Sequence, residues 1–175
     1  MTKSTIDCPP NPVLAEAYLE HIVISIRVDD KTRGIFRSFL DPWYAYTFGG
    51  PFLGSGTPVW PNKPCPVKNR DLLLAADWIS TAAKSAIETQ TVTRLMLDHS
   101  VPVAELIKRM KERRFQTPGE VDGFLRLWYR RGVITKTEDD LLNTKWKSEM
   151  PDGWAWVPGS EFERYQRAGI PGSPT

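Results

Sequence analysis

The sequence predicts an α+β protein, predominantly α, in which a small N-terminal helix and strand unit and a proline-rich arm precede a bundle of about five helices. Three observations carry this reading. Two helix starts in a row are marked by capping boxes, Thr117-Pro118-Gly119-Glu120 and Thr135-Lys136-Thr137-Glu138. In each, the hydroxyl satisfies one orphan N–H and the glutamate reaches back to another. Nine prolines precede residue 68, at Pro9, Pro10, Pro12, Pro42, Pro51, Pro58, Pro61, Pro64 and Pro66, and proline is excluded from helix interiors and central strands. Finally, Ile22, Ile24, Ile26 and Val28 alternate with Ser25 and Arg27, the period-two signal of a half-buried strand. The composition shift divides the chain into residues 1–68 and 69–175.

Along the chain, Asn11-Pro12 caps a first helix over Pro12–Glu20, with Val13, Leu14, Ala17 and Tyr18 at helical spacing. His21–Val28 follows as a strand, and Asp29–Gly34 reads as a turn. Ile35–Leu40 either pairs back as a second strand or begins a helix, the strand being preferred, and Trp43–Phe48 is a third, aromatic strand candidate. Gly49–Pro66 has no usable period and reads as an extended arm across the helices. Asn69 caps a helix whose apolar face is Leu72, Leu73, Ala76, Ile79, Ala83 and Ile87. Val92, Leu95 and Met96 prolong that pattern toward His99, with a break near Thr89-Gln90-Thr91.

Pro102 opens the next helix, carrying Val103, Leu106, Ile107 and Met110. Pro118–Arg131 follows with Val121, Phe124, Leu125 and Trp128 inward. Its basic last turn and Gly132 read as a helix stop, leaving Val133 and Ile134 in a short connection. Leu141, Leu142 and Trp146 line a further helix. Ser160-Glu161-Phe162-Glu163 is a third capping box, before a helix burying Phe162, Tyr165 and Ala168 and stopped by Gly169.

At 175 residues and 41% hydrophobic side chains the chain can bury a real core. With 23 basic against 21 acidic residues the formal charge is +2, so any field that attracts nucleic acid must be local. Cys8 and Cys65 stand among prolines without a CxxC pair or metal spacing, and a disulfide between them is one open possibility. There is no signal-like start and no apolar run of the roughly 18 residues a membrane span needs. A reducing cytoplasm is the expected location, with no membrane association.

A catalytic constellation is not readable. His21, expected to open a strand, and His99, expected to end a helix, have no metal-spaced partner and read as structural. A Cys-His nucleophile would need Cys65, His21 and His99 to converge. Glu138-Asp139-Asp140 reads as favourable charge in a helix's first turn. No cofactor, metal or catalytic residue is expected.

Two sets of residues remain. Large amphipathic rings are enriched at interface hot spots, and those in loops, Trp60, Trp154 and Trp156 with Phe52, are candidates for binding a protein partner. Lys108, Arg109, Lys111, Arg113 and Arg114 crowd one helix end, with Arg126, Arg130 and Arg131 on the next. Two helices joined by the Phe115–Pro118 turn and continued through Leu127–Ile134 resemble the second and third helices and first strand of a winged-helix domain. The pattern departs from that family in having Glu120 and Asp122 near the later helix's start and a capped helix in place of the wing. The resemblance implies that the later helix enters a major groove while flanking Lys and Arg hold phosphate. The Gly132–Glu138 junction is also similar to the helical hairpin of short bacterial C-terminal modules, which implies packing or oligomerisation. The expected function is a non-enzymatic accessory factor that docks on a larger protein, with nucleic-acid regulation through residues 103–134 as the alternative.

Overall fold

The computed structural model describes residues 5–8, 10–28, 33–53, 57–58, 64–66, 70–92 and 94–175. In chain order these form β1 (Thr5–Cys8), α1 (Pro12–Arg27), α2 (Arg33–Phe48), β2 (Gly50–Leu53), β3 (Thr57–Pro58) and β4 (Pro64–Pro66). Then come α3 (Arg70–Leu74), β5 (Trp78–Ser80), α4 (Thr81–Thr89), β6 (Arg94–His99), α5 (Val103–Arg113) and α6 (Pro118–Trp128). The last are β7 (Arg131–Ile134), α7 (Lys136–Trp146), α8 (Glu163–Arg167) and β8 (Gly172–Pro174). The architecture is mixed α/β and mostly helical. It falls into two compact units, Met1–Trp60 with Leu106–Arg126, and Pro61–Glu105 with Leu127–Thr175, whereas the composition shift marks only a single boundary at residue 68.

In the first unit the helix begun at Asn11 does not stop at Glu20. Asn11 Oδ1 accepts from the Leu14 N–H at 3.1 Å, and α1 then runs to Arg27, so the strand expected over His21–Val28 is helical. Once nucleated, a helix propagates cheaply, and β-branched residues cost only tenths of a kcal/mol each. No glycine or proline interrupts residues 13–28. Packing selects the helix: Ala15, Leu19, Ile22, Val23 and Ile26 are buried at helical spacing, while Ile24 and Val28 face outward. The strands expected over Ile35–Leu40 and Trp43–Phe48 are likewise one helix, α2. It tolerates an internal Pro42 because Phe36, Leu40, Trp43 and Tyr44 are buried along one stripe.

Trp43 Nε1 donates to Asp122 Oδ1 at 3.1 Å, tying α2 to α6. The first capping box forms as read: Glu120 N–H donates to Thr117 Oγ1 at 3.3 Å and Thr117 N–H to Glu120 Oε2 at 3.0 Å. Backbone donation from Gln116, with the Thr117 hydroxyl and N–H, holds the Glu120 carboxyl below the usual carboxylate range. A three-stranded antiparallel sheet, β1–β2–β3, completes this unit. Part of the expected arm is therefore paired strand.

The second unit is built on a five-stranded sheet, ordered β4–β6–β7–β5–β8, where the sequence suggested helices alone. Only β5 and β7 run parallel. Proline donates no ladder bond and belongs on edges, and the strands containing Pro64, Pro66 and Pro174 are the two edges. The helical pattern expected from Asn69 toward His99, with a break near Thr89-Gln90-Thr91, is four elements, α3, β5, α4 and β6, and α4 ends at that break. Ser80 caps α4 by accepting from the Ala83 N–H at 3.0 Å, and Gln90 closes it in the left-handed region at φ 52°. Leu95, Met96 and Leu97 are all buried, because a strand flanked on both sides needs apolar residues on both faces. Val133 and Ile134, expected in a connection, are the buried end of β7.

The second capping box also forms, with Thr135 N–H donating to Glu138 Oε2 at 2.7 Å. The third does not: α8 starts after Phe162 with no side-chain cap, and Ser160 Oγ donates instead to the Ala155 carbonyl at 2.8 Å. Trp78, Met96 and Ile134 cluster with Leu142, Phe162, Tyr165, Ala168 and Ile170. Gly132 is not a helix stop. It lies inside β7, where a Cβ would come within 2.5 Å of the Tyr165 hydroxyl. Gly132→Ala is therefore expected to destabilise the protein by about 1–3 kcal/mol through overpacking. Urea denaturation checks this, and an unchanged midpoint would mean that Tyr165 yields without cost.

Candidate functional site

The segment between α7 and α8 carries two of the tryptophans singled out by sequence. It is short of regular structure but rich in internal hydrogen bonds. The N–H of Trp154 donates to the Pro151 carbonyl at 3.0 Å, that of Val157 to Ala155 at 2.8 Å and that of Ser160 to Val157 at 3.0 Å. Gly159 N–H donates to Glu161 Oε2 at 2.8 Å. Gly153 and Gly159 occupy the left-handed region, at φ 74° and 96°, which glycine enters without a Cβ penalty. Trp154 Nε1 donates to the Ser160 carbonyl at 3.0 Å, closing the loop on itself.

Three indoles meet here. Trp128 is buried, while Trp154 and Trp156 are half-buried. Ring centroids are 5.8 Å apart for Trp128 and Trp154, 5.0 Å for Trp128 and Trp156, and 4.6 Å for Trp154 and Trp156. All three pairs meet edge to face, the geometry that the aromatic quadrupole favours. Val157 beside them is exposed.

A buried polar network fixes both ends of this loop. Arg164 is 3% exposed. Its Nη2 donates to Asp98 Oδ2 and to the His99 carbonyl at 2.7 Å, and its Nη1 to the Trp146 carbonyl at 3.2 Å, where α7 ends. Tyr165 hydroxyl donates to the same Asp98 oxygen at 3.1 Å. Arg167 Nη1 reaches the Asp152 carbonyl at 2.5 Å. Burial opposes the Arg164 charge but is outweighed by Asp98 and Tyr165, so the group is held above its ordinary value. Burial, reinforced by the Asp98 carboxylate, pushes the Tyr165 phenol well up, with Arg164 opposing.

The other candidates are dispersed. Trp60 lies outside the described residues, and Phe52, on β2, is described only in its backbone. Arg109 pairs with Glu112 at 3.5 Å, Arg126 with Asp122 at 2.6 Å and Arg130 with Asp77 at 3.2 Å. Lys111 sits over Phe36 at 5.6 Å. Arg131 is buried, and its N–H donates to Asp77 Oδ2 at 2.7 Å. Lys108, Arg113 and Arg114 are exposed. Lys108 to Arg114 and Arg126 belong to the first unit, Arg130 and Arg131 to the second.

His21 is in mid-helix, stacked on Phe39 at 5.1 Å, and His99 ends a strand. His99 Nε2 shares a hydrogen bond with the Tyr129 hydroxyl at 2.8 Å. The Cys65 backbone faces Leu95, four residues along β6 from His99, or roughly 13 Å at 3.3 Å per residue. Lys136 pairs with Asp139 at 3.0 Å and Asp140 at 2.5 Å, as expected of charge at a helix start. No group of three metal-capable side chains occurs among the described residues. No helix among them is long and apolar enough to cross a membrane.

Sequence reasoning missed Arg164 and Asp98, because a buried arginine in Glu-Arg-Tyr-Gln-Arg looks like any solvated one. It placed Trp128 in a helix core, with no signal that the later tryptophans would fold onto it.

A tyrosine whose folded value is raised loses stability as pH climbs, since the unfolded phenol releases its proton first. Stability is therefore expected to hold up to about pH 10, where unfolded tyrosine ionises, and then to fall. Tyr165→Phe removes about 1.4 kcal/mol per pH unit of that decline, measured by urea denaturation from pH 9 upward. Comparison with protein-family models, with curated proteins and with solved structures returns no match.

Proposed function

We propose that this chain is a non-enzymatic cytoplasmic docking factor that binds a larger protein partner through Trp154 and Trp156. One observation carries the reading: two half-exposed indoles are held on a buried third by a loop hydrogen-bonded to itself and clasped at both ends. Aromatic anchors ringed by weaker contacts that exclude water are the common form of binding hot spots. A loop ordered before binding avoids about 0.5–1.5 kcal/mol of ordering cost per side chain. Trp60 and Phe52, in the proline-rich segment, are proposed as contacts to the same partner on their sequence context alone.

The reading is tested by capture of partners from nuclease-treated lysate, followed by titration of the purified partner. Trp154→Ala with Trp156→Ala is expected to weaken binding at least tenfold, the effect of losing about 1.4 kcal/mol, with the far-UV circular dichroism retained. Undiminished affinity in that double variant would remove the tryptophan loop from the interface.

A second reading, a nucleic-acid-binding regulator, is favoured by the exposure of Lys108 in the middle of α5 and of Arg113 and Arg114 at its C-terminal end. Three phosphate contacts would give a slope of log affinity against log salt of about −2.7 on duplex DNA. A flat salt response, or one unchanged by replacing these three with glutamine, counts against it.

A further inference from the structure

Helix α1 is apolar on two faces. One face is the buried stripe from Ala15 to Ile26. The other holds Val13, Ala17, Ile24 and Val28, all exposed: Val13 is 75% accessible, Ile24 51% and Val28 69%. These four are spaced by four, seven and four residues, so they share a side of the helix. Val28 stays on the same path, its N–H donating to the Ile24 carbonyl at 3.0 Å. Exposed apolar residues scattered singly mean nothing, but two apolar pairs on one helix face, Val13 with Ala17 and Ile24 with Val28, set on either side of Glu20 and His21, mark a contact surface.

The spacing is symmetric about the point between Glu20 and His21. We infer that α1 of one molecule packs antiparallel against α1 of a second copy, about a two-fold axis passing between these two residues. A two-fold contact must use one patch that complements itself, and this row does so position by position. Val13 falls opposite Val28 of the second copy. Ala17 falls opposite Ile24, a small side chain against a large one, which lets the helices approach closely. Glu20 falls opposite His21, a carboxylate facing the ring N–H of an imidazole.

Both polar partners are available: Glu20 and His21 are exposed, and the His21 ring is set against Phe39 at 5.1 Å and 16° between planes. The parallel arrangement would oppose each side chain to its own copy, glutamate on glutamate.

The same charges argue against a lipid surface. Glu20 lies in the row with Glu16 beside it, and the helix's single Lys or Arg, Arg27, directs Nη2 to the Gln116 carbonyl at 2.6 Å. Interfacial helices that bind anionic membranes carry Lys and Arg there instead.

Sedimentation velocity of the full chain, over about a hundredfold range of concentration, tests the contact. The mass is expected to rise from one chain to two. Ile24→Glu, at an exposed position where the fold is not at stake, is expected to move the midpoint at least tenfold higher. Glu20→Lys alone weakens association. Adding His21→Glu to it restores association, because the pair is inverted with its geometry kept. A single-chain mass at every concentration overturns the inference, as does a dimer whose midpoint ignores Ile24→Glu or a failure of the double charge swap to recover association. Binding to phosphatidylserine vesicles that depends on Ile24 would assign the face to lipid and overturn it as well.

Discussion

Arg164 keeps its guanidinium at 3% exposure, and everything around it is arranged to make that tolerable. A buried charge stripped of its partner costs about 3–5 kcal/mol. Asp98 is supplied from β6, and the carbonyls of His99 and Trp146 take further donors. The Tyr165 hydroxyl reaches the same carboxylate only because Gly132 leaves the space a Cβ would fill. One strand, its neighbour, the end of α7 and the start of α8 are thus positioned by a single charge. Satisfaction is incomplete, since Arg164 Nε has no partner among the described residues. Replacing such a pair by apolar groups of the same shape is often no less stable. What the ion pair contributes here is direction: it ties both ends of the tryptophan loop to the sheet.

The loop then needs little help. Its turns are closed by its own backbone and by Ser160, and the indole N–H of Trp154 is satisfied internally. Two rings remain half-exposed because Trp128 beneath them is already covered. The first unit follows a different logic, with apolar stripes of α1 and α2 and an indole to carboxylate bond from Trp43 to α6. Its outer face on α1 is left apolar, which for an isolated molecule is only a cost.

Local features were legible where the chain itself contains both partners of an interaction. The capping boxes at Thr117 and Thr135 formed with the predicted bonds, because three residues suffice to build them. Asn11-Pro12 started a helix for the same reason. The apolar faces at Leu106, Ile107 and Met110 and at Val121, Phe124 and Leu125 are buried as their spacing required. The Ser160 box looked identical on paper and failed, since its hydroxyl is turned to the Ala155 carbonyl and α8 begins only after Phe162. Ile22 to Val28 satisfied both period two and helical spacing, and only the burial of Val23 along with Ile22 and Ile26 decided between them.

By itself, then, the sequence determined the helix starts at Asn11, Thr117 and Thr135, where prolines forbid a central strand and which stripes of α5 and α6 must be covered, all of them consequences of contacts within a few residues. Tertiary structure alone decided that Leu95–Leu97 and Val133–Ile134 are neighbouring strands, since a short apolar run serves a buried helix or a central strand equally well. It alone decided that Gly132 makes room for Tyr165, that Arg164 is inside, and that Trp154 and Trp156 rest on Trp128. Each of these joins residues far apart in the chain, and no local energy term distinguishes them until the sheet has closed.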